Sequence, residues 1–156
     1  MMNLTARAHY SVKALLDLSL QPAESVSSVS AIAQRQHLPA PYLEKLLIEL
    51  RRSHLVISVR GAHGGYRLAK SPAQISLGQI LEAVNESVGP LALANTSLEM
   101  SAGAKEKQAE DWVTSLLWQR LQQKLKAAFC SITLEDLYYD ARSWQAAQGE
   151  GASFVV

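Results

Sequence analysis

The chain has 156 residues, of which 48% are apolar and 19% charged, a balance that suits a globular protein and excludes a disordered one. Its apolar runs fall far short of the ~20 residues a membrane span needs. Its opening residues show no secretion signal, and its single cysteine, Cys130, excludes an intrachain disulfide, so the expected compartment is the cytoplasm.

Residues 5 to about 20 read as a first helix, with Ala8, Val12, Leu15, Leu16 and Leu18 forming an apolar stripe that Pro22 ends. Ser27 or Ser28 can cap a second helix from Val29 to about Gln36, with Ile32 and Ala33 facing inward. A short turn through Pro39 leads to a third helix over 42–52, with Pro41 placed at its first turn, where a missing N–H is harmless. Leu43, Leu46, Leu47 and Leu50 supply its buried face and leave Tyr42, Glu44, Lys45, Glu49 and Arg52 outside. Two short helices around a tight turn are the parts of a helix-turn-helix.

Residues 57–60 and 66–69 read as two short strands, and Gly61, Gly64 and Gly65 lie between them at a tip where positive φ angles are needed. A hairpin directly after such a helix is the wing of a winged helix-turn-helix. Charge follows the same division. Residues 1–85 hold nine Lys/Arg against five Asp/Glu, and residues 86–156 hold six against nine. Arg51, Arg52, Arg60 and Arg67 fall within seventeen residues of one another, which suits a surface for a polyanion.

Ser76 or Gln74 opens a fourth helix through Leu77, Ile80, Leu81 and Val84. Residues 89 to about 105 have no sustained period and read as a linker or mobile loop. From 109 to about 131 runs the longest helical pattern, in which Trp118, Leu121, Leu125, Ala128 and Ile132 recur at steps of three and four, a spacing that suits packing against a twin subunit. Thr133 caps a last helix carrying Leu137, Tyr138 and Ala141, and from Gln145 the composition reads as a flexible tail. The expected fold is therefore mainly α with a small β-hairpin, a winged helix-turn-helix joined to a long dimerisation helix. Its parts are a DNA-binding domain over 1–86, a loop over 87–107, dimerisation helices over 108–144 and a tail over 145–156.

The segments Asn3-Leu4-Thr5, Pro41-Tyr42-Leu43-Glu44-Lys45-Leu46-Leu47, Leu50-Arg51-Arg52, Val59-Arg60-Gly61-Ala62-His63-Gly64-Gly65-Tyr66 and Ile132-Thr133-Leu134-Glu135-Asp136-Leu137, together with Tyr10, resemble the IscR/NsrR-like family of iron–sulfur cluster regulators. The resemblance covers residues 2–140 and implies a homodimeric winged-helix transcription regulator on a dyad-symmetric operator, with the long helix crossing between subunits. Many members hold an iron–sulfur cluster through three cysteines in the loop before that helix. Here residues 86–100 contain none, and Trp112 and Ser115 precede Trp118 where cluster-binding relatives carry Cys and His. Such side chains do not replace thiolate and imidazole ligands. The expectation is thus a member lacking the usual cluster cysteines, with no cofactor predicted on its own residues and an iron–sulfur cluster left open by the resemblance alone.

Arg60, followed by Gly61, His63, Gly64 and Gly65, is the strongest candidate site. The arginine can enter a narrow minor groove, and His63 at the tip can face a phosphate; the plain alternative is a hairpin whose glycines only make the turn. Tyr42, Glu44 and Lys45 open the recognition helix. Glu44 can accept from cytosine N4 and Lys45 donate to guanine, or both can be a solvated pair, and Tyr42 can be packing. Arg51 and Arg52 suit phosphates, and Arg7, His9 and Tyr10 are further backbone candidates. Cys130 reads first as a small buried residue. Its functional alternatives are a redox thiol, an intersubunit disulfide or one ligand of an unusual metal cluster using His9 or carboxylates of the twin. Trp112 and Trp118 read as interface packing, or as the lining of an effector pocket.

The function this supports is promoter occupancy by a homodimer on a double-stranded DNA operator, away from any membrane. The competing reading is a winged-helix protein-interaction module that has lost DNA binding, which would not require four clustered arginines. An enzyme has little support: the chain has no phosphate loop, no paired metal-ligand spacing and no nucleophile with an evident base.

Overall fold

The computed structural model describes residues 5–85 and 109–152. Helix α1 (Ala6–Leu20) begins at Thr5, whose side chain accepts from the Ala8 N–H. Helix α2 (Val29–Gln36) is capped by Ser28, which accepts from Ala31 N–H at 3.1 Å, and it closes on His37 in the left-handed conformation. Helix α3 (Ala40–Arg52) carries Pro41 in its first turn. These are the two helices and the turn that the spacing predicts.

The core is built where the three helices meet. Leu15, Ile32, Leu43, Leu46, Leu47 and Leu50 are all fully buried, joined by Leu55, Val56, Ile75 and Ile80. Burying each such side chain contributes about 1.5–3 kcal/mol before entropy is counted. Strands β1 (Val56–Val59) and β2 (Gly65–Leu68) pair antiparallel, with Val56 opposite Leu68 and Val59 opposite Gly65. Both begin one residue earlier than the sequence pattern suggests. The reason is Leu55 and Val56, which are buried under α3 and draw the strand into the core, leaving Arg60 outside it at the tip.

A 3-10 turn (Pro72–Gln74) leads to α4 (Leu77–Ala83), opened by a reciprocal cap between Ser76 and Gln79. The connection over 89–105 lies outside the described residues. Helix α5 (Ala109–Ser131) and helix α6 (Leu134–Ala152) follow. Their joint is fixed to the front of the molecule: Leu77 N–H donates to Ile132 O and Leu134 N–H to Ile75 O, each at 2.8 Å, and Leu134 is fully buried. Helix α6 continues past Gln145, where the composition suggests a flexible tail; the Ala and Gln there are good helix formers.

Helix α5 differs from the rest. Among the described residues it has no buried position, and Trp112, Val113, Leu117, Trp118, Leu121 and the adjoining Ile132 stand exposed. Cys130 is exposed, rather than the buried residue the sequence favours; its Sγ lies beside Gly78 of α4, which covers only one side of this end of α5.

Candidate nucleic-acid interface

The leucines of α3 recur so that one face is wholly buried, and this turns Glu44, Lys45, Arg51 and Arg52 outward. Tyr42 is only half-exposed. Its ring packs against the core and meets Tyr10 edge-on with centroids 5.8 Å apart, so packing accounts for much of its surface. Arg51 donates to Ser58 Oγ at 3.2 Å, linking the end of α3 to β1 and fixing how helix and wing stand to one another.

At the wing tip Arg60, Gly61 and His63 are exposed and Gly64 and Gly65 half-buried. Gly61 takes a φ of +123°, which only glycine adopts readily, and its carbonyl accepts from Gly64 N–H at 3.0 Å to close the tip. A Cβ on Gly65 would collide with the backbone of Ser27. That close approach has a purpose, because Ser27 and Tyr66 exchange backbone hydrogen bonds of 2.9 and 2.8 Å and the connection before α2 thereby becomes a third edge on the wing.

Behind Ser27 lies a polar support that the sequence reading missed. Asp17 is 2% exposed and accepts from Arg35 Nε at 3.0 Å and Nη2 at 2.6 Å, and from Gln36 Nε2 at 2.8 Å. Arg35 also donates to Ser27 Oγ at 2.9 Å. Hydrogen bonding to Asp17 raises the Arg35 pKa further above its ordinary value. The available signal was an acid inside the otherwise apolar stripe of α1, since a buried charge requires a partner.

Two more pairs remove cations from the expected surface. Arg7, a candidate phosphate contact, pairs with Glu49 of α3 and donates through Nε to Val84 O at 2.6 Å, tying α1, α3 and α4 together. Arg67, counted with the basic wing, pairs with Glu24 at 3.0 Å at the base of the hairpin. Lys45, Arg52 and Arg60 have no ion pair or hydrogen bond among the described residues. The recognition helix and the wing tip thus both present outward cations, while Arg7, Arg35 and Arg67 are held in pairs within the frame.

Among the described residues no three His, Cys, Asp or Glu side chains gather as metal ligands. The chain as a whole contains one cysteine. Iron–sulfur clusters are held chiefly by several cysteine thiolates, at times with histidine, and one cysteine per chain does not supply that donor set. Trp112 and Trp118 stand exposed on α5, and a cavity opens elsewhere, between the wing base and α6.

Comparison with known proteins agrees with this fold. Residues 4–140 match the Rrf2 family, described as iron-dependent transcriptional regulators. A protein of Synechocystis described as an HTH-type transcriptional regulator is 58% identical over 155 residues, covering 99% of this chain and 100% of its own length. Among solved structures, T. potens IscR superposes with a TM-score of 0.70 at 33% identity, over 92% of this chain and 91% of that one. CymR, the global cysteine regulator of B. subtilis, gives 0.68 at 29% identity, over 89% and 98%.

Proposed function

This chain belongs to the Rrf2 family of DNA-binding transcription regulators, not enzymes, and from that premise we propose that it reads an operator as a homodimer, α3 in the major groove and the wing tip in the adjacent minor groove. The observation that carries this reading is that the recognition helix and the wing tip both present cations, Lys45, Arg52 and Arg60, outward and unpaired among the described residues. In the proposed complex Lys45 and Glu44 meet base edges, Arg51 and Arg52 meet phosphates, and Arg60 follows the negative potential of a narrow minor groove, with His63 beside it. Gly61, Gly64 and Gly65 allow the backbone to approach. The exposed apolar face of α5 is where the second subunit packs.

On this reading the protein controls promoters by occupancy and without a cysteine-ligated cluster. The test is binding of full-length protein to operators selected from random DNA, over a range of salt. Arg60→Ala, which removes one cation from each of the two wings, is expected to weaken binding and lower the salt slope by about two. An unchanged affinity and slope would show that the wing does not contact DNA. Stoichiometric iron and sulfide in anaerobically purified protein would overturn the cluster-free reading.

A further inference from the structure

A cavity of about 670 Å³ opens between the connection after α1, the base of β2, the 3-10 turn and the first turns of α6. That is the size of a small-molecule site, about 300–1,000 Å³. Its walls carry both signs of charge: Arg67 and Lys70 on the wing side, Glu24 and Glu135 facing them from the other two elements. Between them lies apolar surface from Leu18 and from Tyr138, whose ring is steadied edge-on by Tyr139 at 5.4 Å. Lys70 and Glu135 have no ion-pair partner among the described residues.

The remaining pair is loosely held. Glu24 reaches Arg67 at 3.0 Å, yet its side chain is 80% exposed and its backbone has a φ of +67°, a conformation non-glycine residues seldom take. A carboxylate so exposed is easily exchanged for another. A simple anion would meet the two acids, and a simple cation the two bases. A molecule bearing both charges satisfies all four groups.

We propose that this cavity binds a small zwitterion of the amino-acid type with an apolar or aromatic body. Its carboxylate takes Arg67 and Lys70, its ammonium group takes Glu135 and the displaced Glu24, and its body lies on Tyr138 and Leu18. The Arg67–Glu24 pair joins β2 to the connection before α2, the same two segments that Tyr66 and Ser27 join through their backbones, so an occupant that takes over Arg67 removes one tether between the wing and the frame. That consequence for DNA rests on the function proposed above; the binding itself does not.

The experiment is a titration of the full chain, free of DNA, with each protein L-amino acid to about 10 mM, followed by backbone resonances in solution. Apolar or aromatic members are expected to move the signals of Leu68, Ala69 and Tyr138. Their amides and N-acetyl forms, each lacking one charge, are expected to leave those signals in place. Arg67→Gln and Glu135→Gln should each weaken binding about tenfold or more, with the core signals of Leu46 and Leu47 unmoved as proof of folding. Silence from every amino acid, binding by the blocked forms, or full binding in either variant would overturn the site. Operator affinity unchanged at saturating ligand would overturn its link to the wing.

Discussion

The front of this molecule and its long helix α5 obey opposite rules. In the front, leucines at three- and four-residue spacing close over one another until Leu15, Leu43, Leu46, Leu47 and Leu50 see no water. In α5 the same spacing leaves Leu117 55% exposed and Trp118 41% exposed. The pattern in the sequence is alike; what differs is whether the described residues fold back to meet it. A periodic apolar stripe says that something must cover a helix, and only the tertiary structure says whether that cover is internal.

Mutations can break this comparison, the largest effect coming from the front. Leu47→Ala should cost about 2–5 kcal/mol of stability in chemical denaturation, at every protein concentration, because it opens a hole in a closed core. A loss that shrinks as protein is concentrated would mean that the core too depends on a partner. Next comes Trp118→Asp combined with Leu121→Asp. Circular dichroism should change little, sedimentation should show a monomer, and operator affinity should drop by about a hundredfold as two linked reading heads become one. Retention of a dimer would place the interface elsewhere. Arg60→Ala should then cost about tenfold in operator affinity without altering thermal unfolding.

The smallest expected effect sits at the joint between the two regions. Asp136 accepts from the Thr133 N–H at 2.8 Å and from its hydroxyl at 2.9 Å, and these bonds lower its pKa. A lowered carboxylate stabilises the fold above its unfolded value and loses that contribution as pH falls through the folded one. Asp136→Asn should therefore unfold slightly earlier than the parent at neutral pH. The two melting curves should converge in acid, below the ordinary carboxylate range. A gap that persists there would assign the effect to packing instead of charge.

Much of this architecture is legible in the residues. Pro41, Ser28 and Ser76 mark helix starts that the structure keeps, and the leucines of α3 name their own buried face. Glu44 and Lys45 are exposed because Leu43, Leu46 and Leu47 beside them fill the core, and Arg60 because it lies beyond the end of β1 at the wing tip. What the sequence hides is partnership across distance. Nothing local says that Arg7 belongs to Glu49, Arg35 to Asp17 or Arg67 to Glu24, since each pair joins separate elements. Counting arginines along the chain thus overstates the DNA-facing charge, and Arg67 in particular is engaged at the wing base. Cys130 is the converse case: its type suggests burial, and its exposed place at the end of α5 denies it.

The joint at Thr133 gives α5 one further consequence. Leu134 anchors the end of that helix to Ile75, and the 23 residues of α5 rise by about 35 Å in all. One turn of B-DNA advances by about 34–36 Å. In a paired assembly α5 would act as a caliper, its length converted into the number of base pairs between half-sites. Shortening or lengthening that helix should change which operator spacing the protein selects, even with every DNA-facing residue left as it is.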